Sequence, residues 1–436
     1  MFEDSFEAFR NLFDIDKKLI TPEKVAKEVE HKYLLSKIKS MSHIYNMTED
    51  YIIKNDGILY GGFALNALLP KELKFYDNFT LPDYDCFISD ADEKSKELAD
   101  DLLKNDYKYT EVKHALHENT YKLFSNFESV ADFTSLKDTE YKQILKKAEI
   151  VRYNKKRIKV CPKDLLKALA YYELCLPIGA SHRWIKVYKR LLLFETAFPV
   201  LQNMKSIKPI TISEISKSYI RSDTFYDLYN TLKQYMLSEK VVFTGLYAIM
   251  YLLDTEMLRK KTKYLEVLSI DPEKHLKYVL SILIDLKCIT KVVTNNEYSN
   301  IIPIHVDVYV KLSKTDKFEK LLTIYDVTSQ CFSYFKKDNK FLTSIYFELY
   351  KLYVMRFIEG ENIMTNNFIT LLTNEILLTD DKEILNFTSD CYGYTKTLSV
   401  MKKSIWDNKK KILFYRPLLS KQTRKLSKQT RKLASN

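Results

Sequence analysis

Hydrophobic and polar positions in the first part of the chain predict a short strand that runs directly into a helix. The apolar run Ile58–Tyr60 leads into Gly61 and Gly62, and residues 63–69 continue with apolar positions at helical spacing. Glycine allows backbone and ligand to approach closely, and the N–H groups of a starting helix favour an anion. Because the chain has only seven glycines, this adjacent pair predicts a phosphate-binding junction. A simple strand-to-helix turn is the alternative.

Carboxylates follow this junction in a spacing that is typical of metal-dependent phosphoryl transfer. Asp83 immediately precedes a predicted strand over 84–88 and Asp85 lies within it. Because residues i and i+2 of a strand point to the same face, the two carboxylates are predicted to project side by side. Two such carboxylates repel each other unless cations lie between them. A third acid, Asp132, stands among apolar residues in the predicted strand 129–134. A glycine junction followed by these three acids predicts nucleotidyl transfer. For Asp83 and Asp85 the alternative is a pair of solvated acids on an edge strand.

The pattern along the rest of the first half alternates between helical and β-like periods. Residues 1–50 are predicted to be helical, with Thr21 and Pro22 as a helix-start pair. A loop over 70–82 carries Pro70 and Pro82. Further helices are predicted over 92–104, from Pro162 to Tyr172 and over 181–197, and strands over 107–113, 119–127, 149–152 and 157–161.

Two features near the junction each allow two interpretations. Lys186 and Arg190 follow Arg183 at i+3 and i+7 and form a basic stripe on the predicted helix 181–197. Such a stripe is either a solvated face or a contact with a triphosphate or an RNA backbone. Asn66, one turn into the helix behind the glycines, is assigned evenly to ligand contact or to a surface or capping role.

The second half of the chain weakly repeats the first. Val241–Ala248 resembles the strand–glycine–helix unit, Tyr264–Leu268 resembles the aspartate strand, and Tyr325–Ser329 is aligned with residues 131–135. The register is ambiguous by two or three residues. In any register the strand at 264–268 contains at most one acid, Glu266. One acid cannot hold two metal ions, so the repeat predicts a retained fold that has lost its chemistry.

Charge and cysteine content narrow the classes of protein further. Of the net charge of +12, nearly all lies after residue 401, and Ser420–Leu426 is repeated at 427–433, which predicts a flexible basic tail. Six scattered cysteines suggest neither a disulfide framework nor a zinc knuckle, and a reducing intracellular compartment fits. No apolar run reaches the eighteen or so residues of a membrane span. No P-loop motif is present.

These residues together resemble a known family. The segments Tyr60-Gly61-Gly62-x-Ala64-x-Asn66, Asp83-Tyr84-Asp85-x-Phe87 and Val130–Thr134 are similar to the poly(A) polymerase catalytic subunits of large nucleocytoplasmic DNA viruses (poxvirus, African swine fever virus and mimivirus type). This group lies within the DNA polymerase β-like nucleotidyltransferase superfamily. The similarity also includes Cys161–Leu166 and Trp184–Leu191, and weakly Phe414–Pro417.

The resemblance implies an α+β fold in which a polymerase β-like nucleotidyltransferase domain, a mixed sheet flanked by helices, precedes a catalytically decayed copy. The expected division is a helical N-terminal segment (1–50), a catalytic domain (51–200), a degenerate domain (201–417) and the basic tail (418–436). Asp83, Asp85 and Asp132 are expected to be catalytic and to hold two Mg²⁺ or Mn²⁺ ions. Gly61, Gly62, Asn66, Lys186 and Arg190 are the expected contacts with ATP.

The implied activity is template-independent addition of AMP from ATP to the 3′-hydroxyl of mRNA, with release of pyrophosphate. The expected partners are the RNA 3′ end and either a second copy of the chain or a viral processivity subunit, without a membrane. The expected compartments are the viral factory in the host cytoplasm and the virion. The alternatives are a related nucleotidyltransferase acting on a tRNA, a protein or a small molecule, and a non-catalytic RNA-binding or processivity subunit.

Overall fold

The structure, a computed structural model, describes residues 15–77, 80–115, 117, 119–177, 181–200, 223–253, 264–296, 298, 302–311, 317–378, 390–394, 414–415 and 417. The predicted basic tail lies outside these residues. The described helices are α1 (Ile15–Lys54), α2 (Gly61–Leu68), α3 (Ala91–Lys104), α4 (Asp138–Lys147), α5 (Lys163–Leu174), α6 (Trp184–Ala197), α7 (Asp223–Ser238), α8 (Leu246–Leu252), α9 (Pro272–Asp285), α10 (Ile345–Glu359) and α11 (Ile363–Leu378).

The strands form two mixed sheets. Those of the first half are β1 (Ile58–Leu59), β2 (Tyr84–Phe87), β3 (Thr110–His114), β4 (Thr120–Ser125), β5 (Glu128–Thr134), β6 (Glu149–Tyr153) and β7 (Lys156–Val160). Those of the second half are β8 (Val242–Thr244), β9 (Leu265–Ser269), β10 (Ile289–Asn295), β11 (His305–Lys311), β12 (Glu319–Asp326), β13 (Cys331–Lys337), β14 (Lys340–Thr343), β15 (Cys391–Gly393) and β16 (Phe414–Tyr415). Two mixed sheets flanked by helices confirm the predicted α+β class.

The two sheets share one topology over seven strands. The first has the order β16-β3-β4-β5-β2-β1-β7-β6 and the second β10-β11-β12-β9-β8-β14-β13-β15. In the first sheet β1 pairs antiparallel with β2 and parallel with β7. In the second sheet β8 pairs in the same way, antiparallel with β9 and parallel with β14. The internal repeat predicted from the sequence is therefore visible as a duplicated sheet. Strand β16 returns from the far end of the chain to pair with β3 of the first sheet.

Equivalent helices of the two halves pack against each other and join the sheets. Helix α5 follows β7 as α10 follows β14, and a single apolar core includes residues from both helices. A buried ionic cluster lies at the same contact: Lys167 Nζ is 2.6 Å from Glu195 Oε2, and the Tyr353 hydroxyl donates to Glu195 Oε1 at 2.8 Å. The Lys167 and Glu195 side chains are both 2% exposed. Helices α5, α6 and α10 are therefore fixed to one another.

Two sequence-based predictions are corrected by the fold. Pro22 lies inside α1 and not at its start. Its ring removes one backbone hydrogen bond but does not end the helix. Cys331 and Cys391 form a disulfide between β13 and β15, although the sequence suggested none. These cysteines are 60 residues apart, so local spacing could not reveal the pair. Among the residues described, none of the helices combines the length and apolarity of a membrane span.

Candidate active site

The strand–glycine–helix junction is held by backbone hydrogen bonds on both sides. The N–H of Tyr60 donates to the carbonyl of Asp85 at 2.8 Å, and the N–H of Cys161 donates to that of Leu59 at 2.8 Å. Gly61 then opens α2 with a φ of +66°, a conformation that L side chains rarely adopt. A Cβ at this position would overlap the carboxylate of Asp85. Gly61 is therefore required both by its backbone conformation and by the acid beside it.

The three predicted acids lie together across neighbouring strands. Asp85 of β2 is the direct partner of Asp132 on the parallel strand β5, so both side chains project from the same face. Asp83 comes immediately before β2, two residues from Asp85, and is exposed. Lys122 of β4 stands opposite Asp132 and forms an ion pair with it. The sheet thus places three carboxylates and one lysine beside the glycine junction.

Electrostatic crowding among these acids is strong. Burial, which is the largest cause, and the neighbouring carboxylates of Asp83 and Asp132 together raise the pKa of Asp85 to about 8, against the opposing effect of Arg183 and Lys122. Burial likewise raises the pKa of Asp132, and Lys122 opposes it. Without a divalent cation, Asp85 therefore retains its proton at neutral pH.

The donor set fits the divalent ions that the family resemblance implies. Oxygen-only ligands are the set that Mg²⁺ prefers. Within the described ranges, no three His, Cys, Asp or Glu side chains are already gathered into a metal site. However, Asp132 Oδ1 is buried and has no hydrogen-bond partner among the described residues, which leaves one acceptor oxygen available beside Asp85. Cations between these carboxylates would satisfy that oxygen and relieve the repulsion that raises the pKa of Asp85.

The raised pKa of Asp85 predicts how stability depends on pH when no metal is present. Because the folded state holds this proton more tightly than the unfolded state, the Asp85 contribution to the free energy of unfolding falls as the pH rises from about 4 to about 8. Asp85→Asn removes that contribution, so the stability of the variant relative to the wild type should increase as the pH rises from about 4 to about 8 and stay level above that. Melting curves of both proteins in a chelating buffer test this, and parallel pH profiles would contradict it.

Of the two predicted basic contacts, Arg190 lies closest to the junction. A Cβ at Gly62 would overlap the Arg190 guanidinium and the Tyr76 hydroxyl, so both groups lie against the first turn of α2. Lys186 is one turn away and exposed. Burial, Arg190 and Arg183 lower the pKa of Lys186, while Asp83 and Asp85 act in the opposite direction. Both cations are therefore within electrostatic reach of the acids.

The side chain of Asn66 is turned to the following loop. Its Oδ1 accepts hydrogen bonds from the backbone N–H groups of Phe75 at 2.9 Å and Tyr76 at 3.0 Å. Asn66 therefore accepts backbone hydrogen bonds, as in the capping role that the sequence left open. The N–H groups that it binds belong to a loop and not to the end of a helix. Sequence reasoning missed Tyr76, because a tyrosine in a loop carries no periodic signal.

Two further polar groups near the acids were also missed. Lys122 takes a polar position in the alternating pattern of β4, which does not distinguish it from other partly exposed residues. Only the strand pairing shows that it faces Asp132. Glu173, near the end of α5, pairs with Arg183 at 3.1 Å, while its Oε2 is buried without a partner among the described residues. Burial raises the pKa of Glu173, and Arg183 and His117 oppose it.

The second sheet has a different set of residues at the equivalent positions. Phe243 pairs with Val267 as Leu59 pairs with Cys86, so Glu266 takes the place of Asp85 and Tyr264 that of Asp83. Thr323 pairs with Glu266 as Asp132 pairs with Asp85. The sequence alignment of Asp326 with Asp132 is therefore wrong by three residues. Only one of the three acid positions still holds an acid.

That remaining acid is neutralised from within the chain. Lys351 Nζ of α10 lies 3.0 Å from Glu266 Oε1, 3.4 Å from Thr244 Oγ1 and 3.9 Å from Glu348 Oε2. Glu348 is fully buried and accepts hydrogen bonds from Thr244 Oγ1 at 2.6 Å and from the N–H of Gly245 at 3.0 Å. A lysine ammonium thus lies beside the carboxylate that corresponds to Asp85.

Comparison with known proteins gives the same family as the motifs. Residues 46–180 match the family model of the poly(A) polymerase catalytic subunit. A protein of Acanthamoeba polyphaga mimivirus, assigned as such a subunit, is 33% identical over 95 residues, which cover 21% of this chain and 16% of the relative. A protein with the same assignment from African swine fever virus (isolate Tick/Malawi/Lil 20-1/1983) is 27% identical over 180 residues, covering 40% of this chain and 36% of the relative.

A solved structure extends the likeness to nearly the whole fold. The Megavirus polyadenylate synthase superimposes with a TM-score of 0.70 and 17% identity, covering 94% of this chain and 88% of that one. This match shows a common fold. The matched relatives, in contrast, are covered over little more than a third of their length or less. Residues 46–180 are thus similar to the poly(A) polymerase catalytic subunit family, and the resemblance predicted from the sequence is confirmed.

Proposed function

We propose that the chain is a template-independent polynucleotide adenylyltransferase that transfers AMP from ATP to the 3′-hydroxyl of an RNA, with mRNA as its substrate. The observation that carries the proposal is the contact between the metal-binding acids and the glycine junction at the start of α2. The Asp85 carboxylate fills the space that a Gly61 side chain would need, so the metal-binding acids adjoin the start of α2. A triphosphate at that helix start would meet the acids, Arg190 and Lys186 together.

Each residue has a distinct role in this proposal. Asp83 and Asp85 would hold the ions at the triphosphate, and Asp132 would share the ion on the hydroxyl side. When bound, two Mg²⁺ or Mn²⁺ ions polarise the attacking hydroxyl and neutralise charge on the phosphates. The 3′-oxygen forms a bond to the α-phosphorus while the bond to the β-phosphate oxygen breaks. Asp132 accepts the hydroxyl proton, and Arg190 and Lys186 bind the departing pyrophosphate.

Several observations support a single reaction centre acting on a polymer. The second sheet retains one acid of three and neutralises it with Lys351, so we assign all turnover to the first sheet. A small-molecule transferase has no need of a second sheet of this size or of a basic tail. A processivity partner, or a second copy of the chain, and a site of action in the host cytoplasm belong to the same proposal.

The proposal predicts the outcome of a simple extension assay. Purified protein is incubated with a labelled RNA primer and each of the four nucleoside triphosphates separately, with Mg²⁺ or Mn²⁺. We expect ladders of extended primer with ATP, because each addition needs only a primer 3′-hydroxyl and a bound triphosphate. Much less extension is expected with the other three nucleotides, because the matching family is one of poly(A) polymerases. The products are resolved on a denaturing gel.

The same assay separates the rival functions. Extension by several nucleotides equally would indicate a nucleotidyltransferase of another specificity. Absence of extension with RNA that is nevertheless bound would favour a non-catalytic RNA-binding subunit. A chelator should stop the reaction, and excess Mg²⁺ should restore it.

A further inference from the structure

Two residues of the loop after α2 lie against the proposed triphosphate site, and neither belongs to the family motifs. Phe75 packs its ring against the apolar core, and the Tyr76 ring meets it edge to face at 4.8 Å. The Tyr76 hydroxyl reaches back to the first turn of α2, where it lies against Gly62. The loop therefore brings an aromatic hydroxyl to the same place as the Arg190 guanidinium.

Tyr76 and Arg190 hold each other in position. Arg190 Nη2 donates to the Tyr76 hydroxyl oxygen at 3.2 Å. The guanidinium carbon also lies 4.5 Å from the centre of the Phe75 ring and 5.1 Å from that of Tyr76, within the range of cation–π attraction. The hydrogen bond and the two rings together restrict the movement of the guanidinium, whose planar group allows arginine to bind phosphate through two parallel hydrogen bonds.

The loop that contains Phe75 and Tyr76 is held in place by hydrogen bonds to α2. The two hydrogen bonds from the backbone N–H groups of Phe75 and Tyr76 to Asn66 Oδ1 attach it to the helix whose first turn Tyr76 covers. Burial raises the pKa of the Tyr76 phenol, Arg190 opposes this, and Asp83 and Asp85 add to the rise. The phenol therefore stays protonated at neutral pH and can donate to an anion within reach of both acids.

We propose that Tyr76 binds the terminal phosphates of the nucleoside triphosphate together with Arg190, and that Asn66 is the positioning residue for Tyr76. The inference rests on the proposed function, because it takes the first turn of α2 as the triphosphate site. In the bound complex the Tyr76 hydroxyl donates its proton to a phosphate oxygen while its own oxygen still accepts from Arg190. The nucleobase and the primer do not contribute to this contact.

Binding measurements with matched nucleotides test the inference without requiring catalysis. Dissociation constants of ATP and AMP, with Mg²⁺, are measured by calorimetry for the wild type, Tyr76→Phe and Asn66→Ala. We expect Tyr76→Phe to weaken ATP binding by about tenfold, since a hydrogen bond to a charged group is lost, and to leave AMP binding unchanged. Asn66→Ala should show the same selective loss. In primer extension, both variants should raise the KM for ATP more than they lower kcat.

Matched controls make the result decisive. Tyr109→Phe removes a hydroxyl from a tyrosine that is 64% exposed, and Asn105→Ala removes an exposed amide at the end of α3. Both should bind ATP as the wild type does. Equal losses of ATP and AMP binding in Tyr76→Phe, or no loss of either, would overturn the assignment of Tyr76 while leaving the proposed function intact. If the wild-type protein binds no ATP, both the proposed function and this inference fail.

Discussion

Primer extension should fall by at least about a thousand-fold when Asp83 or Asp85 is replaced by alanine. Each acid would hold a metal ion whose charge stabilises the transition state by several kcal/mol, and each 1.4 kcal/mol corresponds to a factor of ten in rate. Asp132→Ala is expected to have an effect of the same order, since it also removes the proton acceptor. Rates of single-nucleotide addition at saturating ATP and primer measure the loss.

The fold should survive these replacements, which separates a chemical defect from unfolding. Asp83 is exposed, and loss of the Asp85 carboxylate relieves the repulsion that raises its pKa. Asp326→Ala is the matched control, because this acid ends strand β12 of the second sheet and its side chain accepts hydrogen bonds only from Thr328 among the described contacts. Its turnover should remain within a few-fold of the wild type. Normal extension by an Asp83→Ala, Asp85→Ala double variant would disprove the metal-site assignment.

Loss of Lys351, the buried lysine of α10 that pairs with Glu266 of the second sheet, should strongly lower the stability. Lys351→Ala is expected to lower the free energy of unfolding by about 3–5 kcal/mol, the usual range for a buried ion pair that loses one partner. Glu266, with its side chain 12% exposed, and the fully buried Glu348 would then share a site without a cation. Urea denaturation followed by circular dichroism measures the change.

A compensating change tests the physical cause of that loss. Glu266→Gln combined with Lys351→Met removes both charges of the 3.0 Å pair and should recover a large part of the stability. Lys277→Ala provides the control, because its pair with Glu273 is exposed at 80% and 86% and should contribute less than about 1 kcal/mol. A Lys351→Ala midpoint no lower than that of Lys277→Ala would show that the buried pair does not stabilise the second sheet.

Local sequence rules were sufficient for the junction and its acids. The apolar strand, the glycines and the alternation of Asp83 with Asp85 each depend on neighbouring residues only, and the structure brings these groups together as expected. The contact between Asn66 and Tyr76 depends instead on a hydrogen bond between residues that lie 10 positions apart, one on α2 and the other on the loop that follows it. No periodic pattern encodes such a bond.

The second half was harder to align for a related reason. Strand β12 is buried over five consecutive residues, from Leu321 to Tyr325, so its two faces cannot be distinguished by alternating polarity. The alignment then followed the aspartate at 326, whereas strand pairing selects Thr323. The domain boundaries proposed from the sequence stay predictions, as does the role of the basic tail.

The buried ionic cluster between the two halves has a consequence for how such a chain can change in evolution. Glu195 lies on α6, the helix that carries Lys186 and Arg190, while Tyr353 lies on α10 of the second half and Lys167 on α5. Loss of Lys167 or Glu195 leaves the opposite charge buried without its ion partner, and loss of Tyr353 removes a hydrogen bond to Glu195, so the three positions are expected to diverge through coordinated substitutions. Under the proposed function, selection for nucleotide addition by the first sheet would therefore also act on Tyr353 of the second half. A second sheet that holds one of the three acids would in this way be protected from loss.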